Sequence, residues 1–195
     1  MNHTIIIRKM SEYDRDVSFE VSKVFVDGYY RELSLFTGDK IKLIRTFRHA
    51  FCPDVIYVAE LDHEIVGMLG CSNRNMRAMK LDRDQLKSHL GFWRGHLAYH
   101  LMKQEFNTPL SYPDRTAYIE CVATMEKARG RGVATALIQY VLHQLPYDQF
   151  ILEVTDTNQT AYRLYKRLGF VEFDKKNEKL ARLKGFHERI YMHWP

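Results

Sequence analysis

Two short stretches of the chain combine residue types and spacings that could do chemistry. The first is Glu126 to Ala136, EKARGRGVATA, which joins an expected strand to an amphipathic helix. Gly130 and Gly132 carry no Cβ, so the turn can bring its backbone against a ligand. Val133 opens the helix, and Ala134, also small, falls in its first turn. N–H groups at a helix start lack intrahelical acceptors, and the helix dipole adds partial positive charge there. Arg129 and Arg131 add full charges. The sum is a cradle suited to a pyrophosphate. It is not a Walker loop, since no Lys-Ser/Thr pair follows the glycines, and Thr135 breaks a G-x-G-x-x-G pattern. An exposed basic turn against RNA is a further reading of the stretch, but the stretch is isolated and no aromatic residues interleave with its arginines.

The second stretch is Asn158 to Phe170, NQTAYRLYKRLGF. Asn158 stands where a helix N-cap is expected, and Gly169 stands at the usual C′ position. Tyr165 either packs its ring in the core or offers a phenolic proton. Arg129-Gly130-Arg131-Gly132-Val133-Ala134 resembles the Q/R-x-x-G-x-G/A pyrophosphate loop of the GNAT N-acetyltransferases. Asn158, Ala161, Leu164-Tyr165 and Leu168-Gly169-Phe170 resemble that family's N-x-x-A-x-x-L-Y-x-x-x-G-F segment. The two blocks come in the family's order, with one helix and one strand between them. The resemblance covers Thr116 to Phe173.

The resemblance implies an α/β fold of the acyl-CoA N-acyltransferase kind. Its central mixed sheet is mostly antiparallel, with two splayed parallel strands and helices on both faces. It implies acetyl-CoA as co-substrate and direct transfer of the acetyl group to a primary amine, small molecule or peptide, in a ternary complex. The alternative is a non-catalytic acyl-CoA-binding sensor or interaction module on the same fold. The splayed strands would be Thr116 to Thr124 and Phe150 to Val154. Main-chain groups of Val122, Ala123 and Thr124 would meet the pantetheine arm, Arg129 to Ala134 the pyrophosphate, and Asn158 and Ala161 the cofactor from the next helix. Tyr165 takes the family position of the general acid. Glu120, in YIECVAT, is the candidate general base, and a salt bridge to a basic residue is the other reading of a carboxylate in a central strand. Strict alternation puts Glu120 on one face with Tyr118 and Val122, and turns Ile119, Cys121 and Ala123 to the other.

These residues need positioning elements, and the pattern supplies them. Thr4 to Arg8 reads as a first strand, and Ser11 to Phe25 and Asp39 to Phe51 as helices. Val55 to Ala59 and Glu64 to Gly70 read as a hairpin across Asp62-His63. After the strand from Thr116, a helix over Val133 to Leu145, a strand over Phe150 to Val154 and a helix over Asn158 to Leu168 alternate. Strands over Phe170 to Phe173 and His187 to Trp194 follow. Residues 1–195 read as one domain, with residues 73–113 as a helical insertion. Its helix runs through Leu86, Leu90, Trp93, Leu97, Leu101 and Met102 and sets His89, His96 and His100 on one face. No metal motif surrounds those histidines. The insertion reads as a cover over the acceptor site or as a homodimer contact. Tyr29, Tyr30 and Arg31 fall where similar proteins meet the acceptor.

Composition bounds the rest. With 195 residues, 46% hydrophobic and 27% charged, the chain has the make-up of a globular domain rather than a disordered one. The formal net charge of +5 suits an anionic ligand but is too small to point to nucleic acid. Cys52, Cys71 and Cys121 form no disulfide framework and no metal spacing, which suggests a reducing compartment. With no apolar run near the ~20 residues of a membrane span, the expectation is a cytoplasmic protein without a membrane partner.

Overall fold

The computed structural model describes residues 4–181 and 185–195. Seven strands form one sheet in the order β1-β2-β3-β4-β5-β7-β6. They are β1 (Ile6–Lys9), β2 (Ile56–Leu61), β3 (Glu64–Ser72), β4 (Thr116–Thr124), β5 (Gln149–Thr155), β6 (Val171–Asn177) and β7 (Glu188–Trp194). Every neighbouring pair is antiparallel except β4 and β5. The expected hairpin is present, with Asp62 and His63 both at positive φ in its turn. The last hairpin is longer than its expected strands, because β6 runs on through the polar residues Asp174 to Asn177.

Helices cover both faces. On one lie α1 (Ser18–Gly28), the short α2 (Tyr30–Leu33) and α3 (Lys40–Phe47). Val21, Val24 and Phe25 of α1 are fully or almost fully buried, and Gly28 lets its last turn approach Ala123 of β4. On the other lie α6 (Val133–Gln144) and α7 (Gln159–Arg167). There Gly67 of β3 leaves room for Val133 and Leu137 of α6. The sandwiched sheet carries the core, with Ile56, Val58, Met68, Leu69, Ala117, Phe150 and Met192 inaccessible or nearly so. Among the described residues no helix is long and apolar enough to cross a membrane.

The two parallel strands part company midway. β4 and β5 pair from Thr116↔Gln149 to Ile119↔Leu152 and no further. Beyond that point β4 continues against β3, and β5 continues against β7. A bulge sits where they separate. Met68 faces Ala123, yet Gly70 faces Glu120, so β4 holds one extra residue opposite β3. Cys121 takes it up at φ 54°. Such a bulge bends its strand and re-aims side chains. Here it breaks the alternation expected from sequence: Ala123, not Val122, returns to the face of Glu120. The Cys121 thiol reaches Met79 Sδ at 3.5 Å in the interior, instead of turning to the opposite face.

The insertion is two helices, not one. Gly91, at φ 87°, separates α4 (Arg83–Leu90) from α5 (Phe92–Phe106). Asp82 caps α4 by accepting from the N–H groups of Asp84 and Gln85. At the far end of α5, the Asn107 amide exchanges two hydrogen bonds with the backbone of Leu81, at 2.8 and 2.9 Å. The helices cross at Gly95, where a Cβ would come within 2.5 Å of Leu86 O and Lys87 Cα. Gly95→Ala should therefore destabilise the protein by about 1–3 kcal/mol through overpacking, read as a fall in the urea midpoint.

Candidate active site

The turn from β4 to α6 has the form expected of an anion cradle. After a 3-10 turn at Glu126–Ala128, Gly130 and Gly132 take φ of 76° and 82°. A Cβ at either would meet nothing within 4 Å, so the space beside this backbone is open. Gly132 caps α6 without any side-chain hydrogen bond. Among the described residues no acceptor reaches the N–H groups of Gly130, Arg131 or Gly132, and those of the first helical turn have none by construction. Arg129 Nε stands 3.5 Å from the Thr124 carbonyl, and Arg131 lies 3.6 Å from Asp62. Val133 is buried in the core, and Ala134 lies half-buried in the first turn.

The opening between β4 and β5 has its own polar groups. Val122 is half-buried, and its carbonyl accepts a long 3.4 Å hydrogen bond from Tyr29 Oη. Ala123 packs towards α1. Thr124 Oγ1 is buried and has no hydrogen-bond partner among the described residues. An orphaned hydroxyl of this kind costs free energy unless a ligand serves it. From α7, Asn158 Oδ1 accepts from the Ala161 N–H at 3.1 Å, which makes it the helix cap. Tyr165 is buried, with its ring 5.9 Å from that of Phe170. Among the described residues nothing hydrogen-bonds its hydroxyl. Burial alone raises its pKa to about 12, so it keeps its proton through the neutral range. Its neighbour Tyr29 is raised too, by burial first and then by the nearby Cys121 and Tyr165.

Glu120 is the first residue of β4 past the last β4–β5 pair. Its side chain is 8% exposed and its partner Arg77 13%. Arg77 donates from Nη2 to Oε2 at 2.7 Å and from Nε to Oε1 at 3.2 Å. Ser72 Oγ and the Ala78 N–H donate to Oε1 as well. The carboxylate therefore occupies a built ion-pair site, with both oxygens engaged.

A second charged cluster was not visible in the sequence. Glu153 is the first residue of β5 past the same pair, on the same face as Glu120. Arg189 of β7 joins Glu153, Glu178 and Glu105 of α5. The Tyr118 and Tyr191 hydroxyls also face Glu153, and both are held protonated, chiefly by burial and then by that charge. Period-2 counting from Phe150 places Glu153 on the face opposite Leu152, but its partner Arg189 lies 36 residues away. Only the β5–β7 register brings them together.

Other candidates lie apart. His96 and His100 have ring centroids 4.3 Å apart, but the break at Gly91 carries His89 off to stack on His49. Tyr30 Oη is bound to the Gly38 carbonyl. A hollow of about 280 Å³ lies at the opposite end of the strands, lined by Lys9, Tyr57, Asn73, Leu145 and Tyr147 among others. It contains none of the motif residues.

Comparison with known proteins agrees with this arrangement. The model of the acetyltransferase (GNAT) family matches residues 29–170. A curated relative, N-alpha-acetyltransferase 30 of Xenopus laevis, is 37% identical over 65 residues, which is 32% of this chain and only 23% of that protein. An N-acetyltransferase structure from Staphylococcus aureus Mu50 superposes with a TM-score of 0.63 at 20% identity, covering 96% of this chain and 99% of that one. The NatC complex bound to Gag peptide and CoA gives 0.55 at 14% identity, covering 98% of each chain. These two likenesses concern the fold. The family match spans the parted strands, the glycine turn and the Asn158–Phe170 block together, and the chain belongs to the acetyltransferase (GNAT) family.

Proposed function

We propose that the protein transfers an acetyl group from acetyl-CoA to a primary amine, with both substrates bound at once. The observation that carries this reading is the hydroxyl of the buried Tyr165, which is protonated, has no hydrogen-bond partner among the described residues, and neighbours Tyr29, whose own hydroxyl reaches Val122 in the strand opening. The cofactor fits what the site offers. The N–H groups from Gly130 to Ala134 would take its pyrophosphate, with Arg129 and Arg131 adding charge. The unpaired edges at Val122, Ala123 and Thr124, and the orphaned Thr124 hydroxyl, would take its amide-bearing arm. Asn158 and Ala161 would border that arm from α7. Bound there, acetyl-CoA supplies an acetyl thioester with a thiol leaving group. Tyr165 holds at Oη the proton that a departing thiolate requires. Holding amine and thioester together supplies much of the remaining rate.

An amine, charged as its ammonium, would meet carboxylates on the α1 side of the opening, where Glu105, Glu120 and Glu153 pair with Arg77 and Arg189. Among these we assign Glu120 to its ion pair with Arg77 rather than to proton abstraction, because four donors already hold its oxygens. Glu120→Gln should then cost about 3 kcal/mol or more, since it leaves Arg77 buried and unpaired. The pH–rate curve should keep its shape. Activity lost at neutral pH and regained towards ~10.4, the pKa of a lysine-like amine, would restore Glu120 as the base.

The transfer reading is tested by thiol release from acetyl-CoA with three acceptors. These are a peptide with a free α-amino group, an N-blocked peptide with a free lysine, and a small aliphatic diamine. Release with at least one is expected. Tight CoA binding with no release from any would favour the sensor.

A further inference from the structure

The insertion is tied to the strand opening by two arginines, one on each side of it. Arg77 holds Glu120 of β4 and also donates to two backbone carbonyls near the end of α5, those of Glu105 at 2.6 Å and Thr108 at 2.5 Å. Arg189 of β7 holds Glu153 of β5 and also reaches the Glu105 carboxylate, at 3.3 Å. Glu120 and Glu153 are the residues at which β4 and β5 part, and they share the face of the sheet opposite α6. Glu105 therefore bridges the opening, its carbonyl on the β4 side and its carboxylate on the β5–β7 side. Its charge is also felt by the buried Tyr29. The guanidinium geometry matters here. A planar fork can serve a carboxylate and two carbonyls at once, whereas an ammonium cannot reach all of them. The C-terminal end of a helix, with its exposed carbonyls, is a natural seat for that cation.

We propose that the last turn of α5 is the acceptor-side wall of the active site, and that Arg77 is the positioning residue that sets it there, with Arg189 as the second anchor. This rests on the transfer reading above and deepens it: the 73–113 segment decides which amine is taken.

The test uses the full chain with whichever of the three acceptors it acetylates. Arg77→Lys keeps a charge beside Glu120 but gives up the carbonyls of Glu105 and Thr108. Glu105→Ala keeps the carbonyl and gives up Arg189, so it reads the second anchor even where Arg77→Lys folds poorly. Folding is judged by the melting-temperature shift with acetyl-CoA, which both variants should retain. In both, the acceptor KM should rise by roughly tenfold or more, as displacement of a positioning element by about 1 Å can produce. The acetyl-CoA KM should stay within about twofold, since its contacts lie on β4, α6 and α7. An unchanged acceptor KM in both folded variants would overturn the proposal. So would a parallel rise of both KM values, which would mark a merely structural ion pair. If the parent chain acetylates none of the acceptors, the transfer reading itself falls, and that outcome is distinct from either.

Discussion

Tyr165→Phe should lower kcat by roughly 10²-fold or more, with acetyl-CoA KM nearly unchanged. The size of the expected effect follows from what the hydroxyl does and does not touch. It has no hydrogen-bond partner among the described residues, so removing it breaks no internal bond. The phenylalanine ring keeps the packing on Phe170. Stability should therefore change little, and the loss should fall on the chemical step. Because burial raises the Tyr165 pKa to about 12, the parent enzyme should show no alkaline limb from this group until pH approaches that value. The stability linkage has the corresponding sign. A folded pKa above the unfolded value of ~10 means a contribution present below pH ~10 and lost as pH rises through about 12. Full activity in Tyr165→Phe would reduce the residue to a core ring.

Gly132→Val should abolish most of the stabilisation that acetyl-CoA gives, which for the parent is about 2.7 kcal/mol at a hundred times Kd. Two effects combine. At φ 82° a β-branched residue is strained, by about 1–2 kcal/mol. Its side chain would also fill the open space beside the free N–H groups, where the phosphates would approach. Gly91→Val separates the two effects. Gly91 is another positive-φ glycine with open space at its Cβ position, and it lies in the α4–α5 junction. That variant should lose stability yet keep its response to acetyl-CoA. Equal responses in both variants would remove the cradle assignment.

Much of this site was legible because it is local in sequence. The glycine turn and the Asn158 cap are set by a few consecutive residues, and the structure places each as the spacing implied. The alternation of strand and helix points to a mixed sheet, and the parallel pair itself follows from the family resemblance. What escaped depends on contacts between distant residues. Strict alternation in β4 failed at Cys121 because a bulge is a property of register with β3, not of YIECVAT itself. The apolar spacing of the insertion runs through Gly91 as if in one helix, and the positive φ there breaks it in two. Arg77 and Arg189 look like ordinary surface charges in sequence. Their importance comes from partners 43 and 84 residues away. The four donors around Glu120 come from residues 42 to 48 positions away, so its ion pair cannot be read from YIECVAT either.

The most direct test of the central claim is amide hydrogen exchange on the parent chain with and without CoA. The account predicts slowed exchange from Gly130 through Thr135, where the free N–H groups lie, and along Val122 to Thr124 at the parted edge of β4. Exchange around the hollow lined by Tyr57, Asn73, Leu145 and Tyr147 should be unaffected. Protection centred on that hollow, with the glycine turn unchanged, would contradict the account.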